Sequence, residues 1–366
     1  MKKRINRIIV ASLAAILMIM PISTFAASFS PSLSEVAPTN NGRKDNVRPF
    51  TNKGYLDTQG VAFDIYSKKD GYAFNKGTES STKNYFQLVH FTTKGTKITK
   101  KKYVKYSVKN VGHANDATIF RAKGNKYLLF AVSGGKEKSS KTSDGKTCKL
   151  GVIWLDEYNK GTAKVRACNI KKKDDVRMVR SIEEAQFSGI TYTGMRKVDG
   201  EKRPVFVIKD GANFYAAYFT VNDSREITLT IYDRGRINKP NITGSIPAST
   251  QGVTYHNNYL YIPYSGEGNE TTYRNMMIGR IKYKTLFDGT KGSTAKNLSV
   301  YRNKFTKAKV AVGKKKVKMN LEKYIPEAIF FKTLNGKGLM YMAVNRGTTD
   351  SRIKDIDIVV KSKQKY

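Results

Sequence analysis

The stretch "VGHANDATIF", Val111 to Phe120, places an imidazole, an amide and a carboxylate within four residues: His113, Asn115 and Asp116. A histidine and a carboxylate can move protons as general acid and base if they converge in a site that shifts their pKa values. The same residue types can instead bind a ligand's hydroxyls, a water cluster or one hard cation such as calcium. They can also hydrogen-bond neighbouring strands, because buried polar groups need partners. The chain holds no GxSxG elbow, no HExxH zinc motif, no P-loop and no EF-hand loop. Its two cysteines and three histidines show no zinc-site spacing. No resident cofactor is expected, a single channel calcium being the one ion such oxygens suit.

The elements that would position these groups emerge as an internal repeat. "QGVAFDIYSKKDGYAFNKG" begins at Gln59, "NDATIFRAKGNKYLLFAVSGG" at Asn115 and "SGITYTGMRKVDGEKRPVFVIKDG" at Ser188. "QGVTYHNNYLYIPYSGEG" begins at Gln251 and "EAIFFKTLNGKGLMYMAVNRG" at Glu327. In each, a polar residue precedes a small residue or an aspartate, then an apolar-aromatic strand, a turn and a second apolar strand. Gly60, Asp116, Gly189, Gly252 and Ala328 mark the register, at intervals of roughly 56 to 76 residues. Further strand-like runs lie between the hairpins: "YFQLVHFTT" with "KKYVKYSVK", "KLGVIWLD" with "AKVRACNI", "YAAYFTV" with "ITLTIYD", and "MMIGRIKY" with "AKVAVG". Four antiparallel strands repeated five times describe an all-β, five-bladed β-propeller. Only "IDIVV" follows the last hairpin, so a strand from the N-terminal part of the chain is expected to close the ring.

This arrangement predicts where a site would lie. The innermost strand of each blade lines the channel, and its antiparallel partner returns to the same face. Gln59, His113, Asn115, Asp116, Ser188, Gln251 and Glu327 are therefore expected around one channel mouth. Lys209, Asp210, Asn345 and Arg346 fall in a second polar ring beside them. The ligand-binding candidates are Gln59, Asn115, Ser188, Gln251, Asn345 and Arg346. The catalytic candidates, if there is turnover, are His113, Asp116 and Glu327.

Composition bounds the setting. The first 26 residues join Lys2, Lys3, Arg4 and Arg7 to an uncharged apolar run ending near Pro21, with small residues at a cleavage position. That is the pattern of a secretory signal peptide. Residues 27–50 read as an extended segment and 51–366 as a single propeller domain. The formal charge is +38, and loss of the leader leaves about +34. A secreted protein so basic concentrates on polyanions. Outside a cell these are anionic envelope polymers and acidic polysaccharides, with nucleic acid ranked lower because the aromatics look committed to packing. Export permits a disulfide, and Cys148 and Cys168 flank two strands around "YNKG", so a bridge is expected. In the chain-entropy model it would add roughly 3 kcal/mol. Two buried free thiols are the competing reading.

His113-Ala114-Asn115-Asp116, Gln59-Gly60 and Gln251-Gly252 resemble the "GHxND" and "QG" elements of secreted and phage-tail propellers of Gram-positive bacteria. These are the phage receptor-binding and teichoic-acid-biosynthesis-C-like propellers. Ser188-Gly189 and Glu327-Ala328 depart from the "QG" form. The resemblance covers about Gly54 to Val360 and implies a five-bladed ring in contact with polyol phosphates of the cell wall. It leaves three functions to separate: binding of an anionic envelope polymer, cleavage of such a polymer by a hydrolase or lyase, and adhesion to or action on a protein partner.

Overall fold

The computed structural model describes residues 33–37, 46–47, 55–67, 69–77, 86–94, 97–106, 116–132, 140–141, 147–240, 249–250, 252–265, 277–301, 307–312, 315–320, 325–334, 337–345 and 355–365. Five mainly antiparallel sheets of four or more strands form the blades of a propeller. Blade 1 runs Tyr55–Phe63, Asp70–Gly77, Phe86–Lys94 and Lys97–Tyr106. Blade 2 runs Ala117–Ala122, Asn125–Ala131, Leu150–Trp154 and Val165–Ala167. Blade 3 comprises Gly189–Val198, Glu201–Asp210, Asn213–Val221 and Ile227–Ile237, with Asn169–Lys172 added in parallel on its outer edge. Blade 4 uses Thr254–His256, Tyr259–Ser265, Met277–Lys282 and Ser299–Tyr301. Blade 5 uses Ile325–Leu334, Lys337–Asn345 and Asp355–Lys365. Its fourth strand is Leu33–Ala37, antiparallel to Asp355–Lys365, so the first described strand closes the ring as the sequence predicts.

The five predicted hairpins are the inner two strands of the five blades. Their inner strands touch in the order 1, 2, 3, 4, 5 and back to 1. Alternation along each strand sends side chains to opposite faces, and each face packs against a different neighbour. Phe74, Phe86, Phe130 and Leu128 fill the contact between blades 1 and 2. Phe120, Phe206, Phe219 and Tyr127 fill that between blades 2 and 3. Phe63, Phe330 and Tyr341 cluster between blades 5 and 1. These rings are buried, and their removal from water is the main force holding blade to blade.

Three expectations are corrected. Cys148 and Cys168 are both buried free thiols rather than a disulfide: the first packs in the core between blades 1 and 2, the second in that between blades 2 and 3. The link around "YNKG" is a six-residue helix, Leu155–Lys160, ended by Gly161 in the left-handed region at φ 78°. The outer strand of blade 4 is Ser299–Tyr301, whereas Lys307–Val312, holding "AKVAV", pairs with Lys315–Asn320 as a separate hairpin.

Candidate functional site

At the predicted channel mouth the central residue is Asp116. It sits just before the inner strand of blade 2 with φ 69°, a left-handed conformation that aspartate tolerates better than most residues. It is 1% exposed. One carboxylate oxygen, Oδ2, accepts the backbone N–H of Val253 in blade 4, and the backbone N–H of Ile190 in blade 3 also donates to the carboxylate. A single side chain thereby ties three blades together. Gly189 and Gly252 make the approach feasible. A Cβ built on Gly252 would stand 2.7 Å from the Asp116 carboxylate, and one on Gly189 would stand 3.1 Å from its Oδ2. The glycines of Ser188-Gly189 and Gln251-Gly252 therefore make room for the aspartate of another repeat.

Lys209, at the end of the second strand of blade 3, is fully buried and donates to Ser188 Oγ at 2.6 Å. The Ser188 N–H donates to the Lys209 carbonyl at 2.9 Å, which clips the start of one strand to the end of the next as the antiparallel geometry requires. Burial works against both charges. It pushes the Asp116 carboxyl well above the usual carboxylate range, more than its backbone hydrogen bonds and the attraction of Lys209 restore. It pulls the Lys209 ammonium down to about 7, against the attraction of Asp116.

Gln59 and Glu327 occupy equivalent positions in blades 1 and 5. Each falls at a β-bulge, between Thr58 and Gly60 and between Pro326 and Ala328. Gln59 is 4% exposed, and its Oε1 has no hydrogen-bond partner among the described residues. Beside it Thr58 Oγ1 donates to Asn75 Oδ1 at 2.9 Å inside blade 1. Asn345 ends the second strand of blade 5 opposite Ile325. His113, Asn115, Gln251 and Arg346 lie outside the described residues, as does the leader. Asp116, Ser188 and Lys209 are thus brought together. No group of three or more His, Cys, Asp or Glu side chains arranged to hold a metal occurs among the described residues.

The other half of the channel holds a cavity of about 270 Å³ to which the inner strands of all five blades contribute. Three threonines, each two residues past the repeat marker, stitch successive blades here. Thr118 Oγ1 accepts the Tyr192 N–H at 3.0 Å and Thr191 Oγ1 accepts the Tyr255 N–H at 2.9 Å. Thr254 Oγ1 donates to the Ile329 carbonyl. The sequence carries this signal as Asp-Ala-Thr, Gly-Ile-Thr and Gly-Val-Thr at residues 116–118, 189–191 and 252–254. In the cavity wall His256 stacks on Phe331 across the junction of blades 4 and 5, with ring centroids 4.3 Å apart. The third histidine, His90, meets Asp70 at 2.9 Å and stacks on Tyr72 within blade 1.

No family model and no curated protein matches the chain. Among solved structures it is similar to an exo-1,5-α-L-arabinanase from a bovine ruminal metagenomic library (13% identity, TM-score 0.42, covering 86% of this chain and 94% of that one). It is also similar to the Cellvibrio cellulosa α-L-arabinanase complexed with arabinohexaose (12% identity, TM-score 0.44, 84% and 92% covered) and to the native Bacillus subtilis arabinanase (13% identity, TM-score 0.39, 86% and 95% covered).

Proposed function

We propose that this protein is an exported β-propeller that binds an anionic cell-envelope polymer, a teichoic-acid-like polyol phosphate or an acidic glycan, outside a Gram-positive-type cell. The observation that carries this reading is the placement of lysine. The edge strand of blade 1, Lys97–Tyr106, has five lysines and no acidic residue. The separate hairpin has five more, again without an acid, and its first strand lies against Leu33–Ala37 of blade 5. In that hairpin Lys309 stands directly opposite Lys318, and in blade 1 Lys94 stands opposite Lys97. Like charges facing across a ladder each cost about 0.2–1 kcal/mol. An anion between them converts that cost into attraction. The outer strands of blades 2 and 4 hold a single cation, Arg166, already in a bidentate pair with Glu157.

The engagement of Asp116 favours binding over turnover. Its carboxylate is held by two backbone donors and sealed from solvent, which leaves it poorly placed to work as a base with His113 and Glu327. The test is co-sedimentation with purified Gram-positive walls, intact and stripped of teichoic acid, across a salt series. Retention that needs the polymer and persists at about 0.15 M salt is expected. Equal retention on stripped walls would show that the charge is a non-specific surface property.

A further inference from the structure

We propose that the cavity at the far end of the channel binds one uncharged sugar ring. Four features define the occupant. First, no Asp, Glu, Lys or Arg lines the cavity, and its one imidazole, His256, has a ring face stacked on Phe331, so a charged ligand would lose its hydration with no carboxylate, ammonium or guanidinium to meet it. Second, Thr118 and Thr191 are 9% and 6% exposed. Each hydroxyl oxygen accepts a backbone N–H from the next blade, while its own proton goes to no acceptor among the described residues. Buried donors without acceptors are costly, so these two call for oxygen atoms from an occupant. Third, Tyr192, Tyr255 and Phe331, each only partly buried, line the same space and offer aromatic surface. A pyranose divides in the same way, with hydroxyls at its edge and C–H groups on its faces. Fourth, about 270 Å³ suits one ring rather than a chain, being near the lower end of ligand pockets.

The rim agrees. Ile65, which also lines the cavity, is 61% exposed. Tyr66 beside it and Met195, next to the lining residue Gly194, are two more of the exposed large apolar side chains. Of the three, Ile65 forms the apolar lip through which a sugar face can enter, while Tyr66 is engaged by Arg121, whose backbone N–H its hydroxyl accepts and whose guanidinium lies over its ring. The site is independent of the lysine-rich strands, and either reading can fail without the other.

The experiment is isothermal titration with D-glucose, D-galactose and N-acetyl-D-glucosamine, against glucuronate and glucosamine. It is run at about 0.5 M salt, where screening confines charge effects to a few ångströms. Saturable binding of at least one neutral sugar is expected, with the charged sugars at least about tenfold weaker. Ile65→Asp puts a charge at the lip of the cavity and should weaken the neutral sugar at least about tenfold, with an unchanged melting curve because the residue is largely exposed. Saturation by no neutral sugar, equal binding of the charged ones, or full affinity in Ile65→Asp would each overturn the proposal. An ordered-water cavity is what the first of these would leave.

Discussion

The carboxylate of Asp116 in blade 2 receives the backbone N–H of Val253 in blade 4, joining two blades that are not neighbours in the ring. The residue that most resembled a catalytic acid is a fastener. Because the carboxylate also takes the Ile190 N–H, its removal strands two buried donors at once.

Asp116→Ala is therefore expected to destabilise the domain by about 3 kcal/mol or more, at about 1–3 kcal/mol per orphaned buried group. Asp116→Asn keeps one acceptor and should fall between. Urea unfolding read by fluorescence checks both. The only tryptophan, Trp154, lies between Arg166 and Arg225 at 3.5 and 3.7 Å from its ring centre, so its emission reports on the native packing of blade 2.

Gly252→Ala should be destabilising for a reason specific to Asp116, since the added methyl would sit 2.7 Å from its carboxylate. In a double-mutant cycle the pair Gly252→Ala and Asp116→Ala should cost less than the sum of the singles, by about 1 kcal/mol or more. Strict additivity would mean that the glycine serves some other contact.

Lys209 gives a pH signature. Burial depresses its folded pKa to about 7, well below the roughly 10.4 of an ordinary lysine, so between those values the unfolded chain binds a proton that the native state does not. Stability contributed through this group therefore rises with pH across that window, with a limiting slope of about 1.4 kcal/mol per pH unit. Lys209→Met should show a shallower rise than the wild type between pH 7 and 10 in parallel melts. Identical slopes would argue that Lys209 stays charged when folded.

The thiols provide a direct count. Cys148 and Cys168 are buried and free, and burial pushes the Cys168 thiol up, away from the reactive thiolate. A thiol reagent should find almost nothing in the native protein and two groups per chain after denaturation without reductant. Zero groups after denaturation would restore the disulfide.

Thr191→Val removes the acceptor for the Tyr255 N–H and should cost about 1–2 kcal/mol, whereas Thr191→Ser should be close to neutral. A serine as damaging as valine would assign the loss to packing of the methyl group rather than to the stitch between blades 3 and 4.

The repeat was legible because each inner hairpin is local: apolar alternation, a turn and a return strand all fall within about twenty residues. The outer strands were harder. Ser299–Tyr301 and Lys307–Val312 both follow Met277–Lys282 at a distance, and the longer, more regular alternation of the second is satisfied by its own partner Lys315–Asn320. The helix Leu155–Lys160 hid in "LDEYNKG", whose last residues read equally as a turn. The role of Asp116 was missed because its partners are backbone N–H groups of remote repeats, which leave no side-chain pattern. The trace they did leave is glycine at positions 189 and 252, the two marker positions whose Cβ would meet the Asp116 carboxylate.

The measurement that bears most directly on the polymer-binding account is the affinity of the wild type and of Lys309→Glu/Lys318→Glu for purified polyol phosphate polymer, with neutral dextran as control. Reversing the two facing lysines replaces the cationic pair that the hairpin holds in register with an anionic one. The account predicts that affinity for the polyol phosphate falls at least about tenfold, with an unchanged melting curve and little retention on dextran. Undiminished affinity in the variant, or equal binding to dextran, would contradict it.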